Sequence, residues 1–165
     1  DNNYAYMRYP SFSYSIGEGN LDNVLASLAI ADGLIIDVRD NGGGIITNAE
    51  TLVARFIDKR ILAGYISHKT GSGHDDFSEP YAYYIDPAKG RVHWTGKPIA
   101  VLTNRPTYSA ANNFAAPSYD ADRQLTEFGV QPTDGCQTDM TDADRQRGVD
   151  TIIERAFEAL TDMQR

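Results

Sequence analysis

One cysteine, three histidines and a single tryptophan are scarce material for thiol, metal or stacking chemistry in a sequence of 165 residues. Cys136 is alone, so it forms no internal disulfide and no thiolate cluster. No two of the histidines have metal-ligand spacing with a third partner, so no metal and no other cofactor is expected. Basic side chains are also few. Fifteen Lys and Arg against twenty-three Asp and Glu leave a net charge of −8 and a pI near 4.7, which argues against a nucleic acid or an anionic membrane as partner. No apolar run approaches the roughly 20 residues that span a bilayer, so no transmembrane segment is expected. Nor does a basic stretch followed by an apolar one open the chain, and any export signal is expected to be absent or already removed. What remains is ordinary globular material, 41% apolar and 23% charged, of a length that suits a single domain over 1–165.

Strands and helices alternate in the pattern. Tyr4, Tyr6 and Tyr9 give a half-exposed strand that ends at Pro10. Asn20 is placed to cap a helix whose apolar stripe is Leu21, Val24, Leu25, Leu28 and Ala29. Asp32-Gly33 stops it, and Leu34-Ile35-Ile36-Asp37-Val38 reads as a strand buried on both faces. Thr47 to Glu50 has the spacing of a capping box, opening a helix with Leu52, Val53 and Phe56 inward. Ile61 to Ser67 reads as a strand. Tyr81 to Ile85 and Arg91 to Trp94 flank Asp86-Pro87-Ala88-Lys89-Gly90, which is hairpin chemistry. Pro98 to Thr103 is another buried-type strand, a helix starts at Ser109, and Val149, Ile152, Ile153, Ala156, Phe157 and Leu160 share one face of a C-terminal helix. The class is therefore α/β. The polar stretch 116–147 predicts no element.

Two of the buried-type strands run into turns at their carboxyl ends, where open α/β sheets place their sites. The first turn is Asp37-Val38-Arg39-Asp40-Asn41-Gly42-Gly43-Gly44. Its glycines permit positive φ and close approach, and their N–H groups can form a concave donor site for an oxyanion. The plainer reading is a loop that needs several positive φ values. It is not a phosphate loop, because the following Lys and Ser/Thr are missing. The second turn runs from Thr103 to Asn112 and holds Ser109 at the start of a helix, followed by Ala110 and Ala111. There the Ala110 amide is placed to meet a developing oxyanion. The plainer reading makes Ser109 an N-cap.

Other candidates carry less. His68 and His93 sit in or beside strands, and His74 lies in a polar loop. Asp75-Asp76 and Asp142/Asp144 read as solvated charge, and Tyr81, Tyr83 and Tyr84 as strand packing without the basic groove of a nucleic-acid platform.

Taken together, the two turns and their flanks resemble the catalytic domain of the tail-specific or C-terminal processing serine peptidases, the family that includes the tricorn core protease. The matching residues are Gly33 to Gly44, the helix from Ala49 to Phe56, Lys97 to Asn104 leading to Ser109-Ala110-Ala111, Glu127-Phe128-Gly129-Val130-Gln131-Pro132, and Gly148 to Glu154. The variants most similar are those of Bacteroidetes. The resemblance implies the crotonase-like or ClpP-like α/β spiral, with Ser109 as nucleophile and Gly43 and Ala110 as the oxyanion-hole amides. It places Glu127 in an extended Ser/His/Ser/Glu set. It also implies a peptide or protein substrate, an upstream PDZ-like domain and a periplasmic or cell-envelope location. Three departures stand out. Ala116 to Leu125 crosses a gap that is longer in the family and that carries a strand and, in one branch, a lysine base. The tricorn-like histidine would precede Asp1, and Thr133 replaces the usual Asp. The chain either joins segments that are apart in the full protein or is a trimmed relative, and the base for Ser109 is expected outside it. The competing readings are a non-catalytic module that holds a peptide or apolar ligand, and a crotonase-type acyl-CoA enzyme.

Overall fold

The computed structural model describes residues 3–115 and 132–165. Its centre is a three-stranded parallel sheet in the order β1 (Tyr4–Arg8), β2 (Gly33–Asp37), β5 (Ile99–Leu102). Every residue of β2 is buried, as its Leu34-Ile35-Ile36 run requires of a middle strand covered on both faces, and the one charged residue, Asp37, lies at its carboxyl end. Alternate side chains go to opposite layers. Leu34, Ile36 and Val38 face a cluster with Leu21 and Leu25 of α1 (Glu18–Leu28), Ala49 and Leu52 of α2 (Ile46–Val53), and Phe114 of α3 (Ala110–Ala115). Ile35 faces the other way, onto Leu102 and onto Ala156 and Leu160 of α5 (Thr151–Asp162). The class is α/β, with helices on both faces of a parallel sheet.

A separate antiparallel pair, β3 (Ile61–Ile66) with β4 (Tyr81–Ile85), corrects the expected hairpin. Tyr81 to Ile85 turns back on β3, and Arg91 to Trp94 forms no strand. The reason is that the backbone donors of 88–94 are used elsewhere. Ala88 N–H donates to Ala54 O, Val92 N–H to Asp22 Oδ1 and Trp94 N–H to Arg55 O. Arg55 itself is fully buried. Its guanidinium pairs with Asp22 and Glu18 of α1 and donates to Val92 O, tying two helices to this segment.

The expected caps also move. α1 begins at Glu18 with Gly17 as N-cap, so Asn20 lies inside the first turn. α2 begins at Ile46, and no side chain caps it. Its entry is fixed instead by Ile45 N–H and Asn48 Nδ2 donating to Phe12 O. In the polar stretch where no element was expected, α4 (Asp142–Arg147) forms behind a capping box of Thr141 and Asp144. Asp144 is thereby buried rather than solvated, and the hydroxyl of Thr141 holds its carboxyl well below the usual carboxylate range. Asp142 is exposed as expected.

At the carboxyl end of β2, Tyr6 Oη donates to Asp37 Oδ2 at 2.6 Å, and Arg39 bridges Asp37 (2.6 Å) to Asp150 (2.8 Å). Asp150 also caps α5 by accepting from Ile152 N–H and Ile153 N–H. Burial pushes both carboxyls up, but the bonds from Arg39, joined by Tyr6 at Asp37 and by the Ile152 and Ile153 amides at Asp150, together outweigh it, and both carboxyls lie below the ordinary range. The sign follows. A carboxyl whose folded pKa lies below its unfolded value of about 3.9 contributes stability that is present above that value and lost as pH falls through the lower one. The urea midpoint should therefore hold down to about pH 4 and drop below it. Arg39→Met should lower the unfolding free energy at neutral pH by about 3–5 kcal/mol, as for a buried pair broken on one side, and should flatten the acid limb. An acid limb unchanged in the variant would refute this role for the network.

Candidate active site

Both turns singled out in the sequence lie at the carboxyl ends of neighbouring strands, β2 and β5, and the fold presses them together. Tyr108 N–H donates to Asn41 O at 3.0 Å, and Thr107 Oγ1 donates to Val38 O at 3.0 Å. The approach at the glycines is closer still. A Cβ on Gly43 would lie 2.7 Å from Ser109 Cβ, 2.7 Å from Tyr108 O and 3.0 Å from the Ala110 nitrogen. With φ at +93°, position 43 tolerates only glycine on both counts. Gly44 packs as tightly against the Phe12–Ser13 backbone, where the chain makes a short parallel bridge from Phe12 to Gly44.

Ser109 is exposed and has φ of 55°, left-handed backbone that is rare for a residue with a side chain. An N-cap has extended backbone and a side-chain oxygen accepting from the second or third helical amide. Ser109 has neither: no described residue donates to its Oγ, and the Asn112 and Asn113 amides bond its carbonyl instead. The plainer reading of this serine therefore fails on geometry. Strained non-glycine backbone of this kind clusters at functional sites. Immediately after it, the Ala110 N–H has no acceptor among the described residues.

The Gly43 amide differs from the expectation of a free donor. It bonds Asn41 Oδ1 at 2.8 Å, while Asn41 Nδ2 donates to Tyr9 O at 2.8 Å. Asn41 is fully buried and was not singled out in the sequence. Its Asn-x-Gly spacing is the signal that could have found it, because an Asn side chain readily accepts from the amide two residues on.

The histidines stand in other company. His68 Nε2 is 3.0 Å from Tyr81 Oη, and His93 Nε2 is 2.6 Å from Ala88 O. Among the described residues no histidine or lysine is hydrogen-bonded to Ser109 Oγ, and no group of three or more His, Cys, Asp or Glu is arranged to hold a metal ion. No helix among them is long and apolar enough to cross a membrane. Glu127 and the stretch from Ala116 to Leu125 lie outside the described residues.

Comparison with known proteins gives concordant results. The family model of peptidase family S41 matches residues 3–143. Among solved structures, a candidate peptidase from Parabacteroides merdae is 36% identical with a TM-score of 0.84, over 96% of this chain and 61% of that one. This chain thus spans about three fifths of that protein's length. The photosystem II D1 C-terminal processing protease is 23% identical with a TM-score of 0.51, over 69% of this chain and 27% of its own. Mature CPAF complexed with lactacystin is 16% identical with a TM-score of 0.55, over 68% and 35% respectively. These two share the fold. No curated protein matches the sequence.

Proposed function

From the premise that this chain belongs to peptidase family S41, we propose that it is the catalytic domain of a serine endopeptidase that cleaves by acyl transfer through Ser109. One observation carries the reading. An exposed serine in left-handed backbone stands against a position that only glycine can fill, with an amide directly behind it that bonds no acceptor among the described residues. In the proposed cycle, Ser109 Oγ attacks the scissile carbonyl carbon and gives its proton to a base. The carbonyl oxygen becomes an oxyanion beside the Ala110 N–H. The C–N bond then breaks, the amine leaves with a proton, and water hydrolyses the acyl ester by the same route in reverse. The Gly43 N–H joins the oxyanion hole by exchanging Asn41 Oδ1 for the oxyanion, a stronger acceptor than a neutral amide.

The base comes from outside the described residues, and the family resemblance offers Glu127 as a group that orients it. A peptide or protein substrate fits the same reading. The upstream PDZ-like domain and the cell-envelope location belong to it as proposals.

A fluorophosphonate probe tests the assignment. Incubated with the intact protein, it should add one organophosphoryl group, and peptide mass mapping should place the adduct on Ser109. A protein left unmodified, while a known serine peptidase is labelled alongside it, would favour the binding-module reading.

A further inference from the structure

Two described residues other than glycine have positive φ, Asp40 at 61° and Ser109 at 55°, and they lie on the two facing turns. Each turn thus holds one strained residue. A strained residue keeps its conformation only where its surroundings over-determine it. For Asp40 the surroundings are Asn104. The Asp40 N–H donates to Asn104 Oδ1 at 2.8 Å, and Asn104 Nδ2 donates back to Asp40 Oδ1 at 2.8 Å. Asn104 is itself fixed within its own turn, where its N–H donates to Thr107 Oγ1 at 3.0 Å and its carbonyl accepts from Thr107 N–H at 2.9 Å. One amide side chain therefore joins two loops that are 64 residues apart in sequence.

We infer that Asn104 is a positioning residue, a two-bond clasp with Asp40 that sets the distance between the glycine turn and the serine turn. This rests on the proposed roles of Ser109 and Gly43. The clasp lies close to the site along both turns: Asp40 is three positions before Gly43, and Asn104 is five positions before Ser109. It touches neither the nucleophile nor the oxyanion donors, so its influence runs through geometry. The rest of the stitching is backbone or hydroxyl bonding to backbone, which resists slippage less specifically. The Asp40 side chain is 64% exposed and its contact with Arg8 is long, at 4.0 Å. Charge is therefore not what the pair supplies. Asn and Asp are the side-chain residues most at ease in left-handed backbone, which leaves position 40 open to exchange between the two.

The test is a swap. In Asp40→Asn, the new amide oxygen still accepts from Asn104 Nδ2, and both bonds survive. In Asn104→Asp, a carboxylate faces the Asp40 carboxylate and one bond is lost. In the double variant the partners are exchanged, and both bonds return. Fluorophosphonate labelling of Ser109, measured per folded molecule, should be near wild type for Asp40→Asn and for the double variant. It should be about 10- to 100-fold slower for Asn104→Asp, the scale of a displacement near 1 Å. Should Asn104→Asp not fold, Asn104→Ala removes both bonds without repulsion and should show the same slowing. Wild-type labelling in Asn104→Asp or Asn104→Ala, or a double variant as slow as Asn104→Asp, overturns the inference. If the wild-type protein is itself not labelled at Ser109, the nucleophile reading has failed. The clasp is then judged by amide hydrogen exchange alone. Exchange at Asp40 and Tyr108 must be faster in Asn104→Asp and restored in the double variant, and unchanged exchange overturns it.

Discussion

Ser109→Ala is expected to bring peptide hydrolysis by the intact protein to background and to abolish fluorophosphonate labelling, with the melting temperature unchanged. The size of the loss follows from the chemistry. Without the oxygen there is no acyl-enzyme, and what remains is the modest advantage of bound substrate and oxyanion donors. Removing the nucleophile of a serine peptidase costs on the order of 10⁶ in kcat. Stability should be preserved because Ser109 is exposed and its Oγ bonds no described residue. Alanine is a little less at ease than serine at φ of 55°, but both bear a Cβ and the difference is small. Turnover undiminished in the variant would show that this serine is not the nucleophile.

Substitution at Gly43 should do nearly as much harm by another route. Valine there would put its Cβ 2.7 Å from the Tyr108 carbonyl oxygen and from Ser109 Cβ, at a φ of +93°. The backbone oxygen cannot swing aside as a side chain would, so the glycine turn and the serine turn must separate. We expect Ser109 labelling to slow by about 10²–10³, the effect of losing one oxyanion donor. A loss of stability of about 1–3 kcal/mol should accompany it, the scale of forced backbone strain. Gly42→Ala is the matched control. Nothing lies within 4 Å of a Cβ at position 42, and its φ is not positive. That variant should label and melt like wild type. Equal labelling by Gly43→Val and wild type would remove Gly43 from the site.

The residues themselves show how far each part was legible. β2 could be read because Leu34, Ile35 and Ile36 are consecutive and all buried, and a strand hidden on both faces carries apolar residues on both. α5 could be read because Ala156 and Leu160 repeat at helical spacing toward Ile35 and Leu102. The two site turns were legible because each follows an apolar strand, fully buried at β2 and half-buried along most of β5, and holds residues that turns and nucleophiles need. Cap positions were misplaced at α1, which starts at Glu18 without a side-chain cap so that Asn20 falls inside it, and at α2, where the Phe12 carbonyl receives the bonds that fix the entry. The hairpin was misplaced because Arg91 to Trp94 has strand composition while the Val92 amide answers to Asp22 of α1 and the Trp94 amide to Arg55, just past α2.

By itself, then, the sequence determined what depends on local spacing: the buried strands, the amphipathic helices, the three glycines and the serine with its two alanines. Only the tertiary structure decided which of these meet. It set Gly43 against Ser109, buried Asn41 beneath the glycine amide, paired β3 with β4 and tied Asp40 to Asn104. The physical reason is that periodicity reports which face of an element leaves water, a property of neighbours three or four positions away. A hydrogen bond across 64 residues depends instead on where two strand ends arrive in space, and no local pattern encodes that.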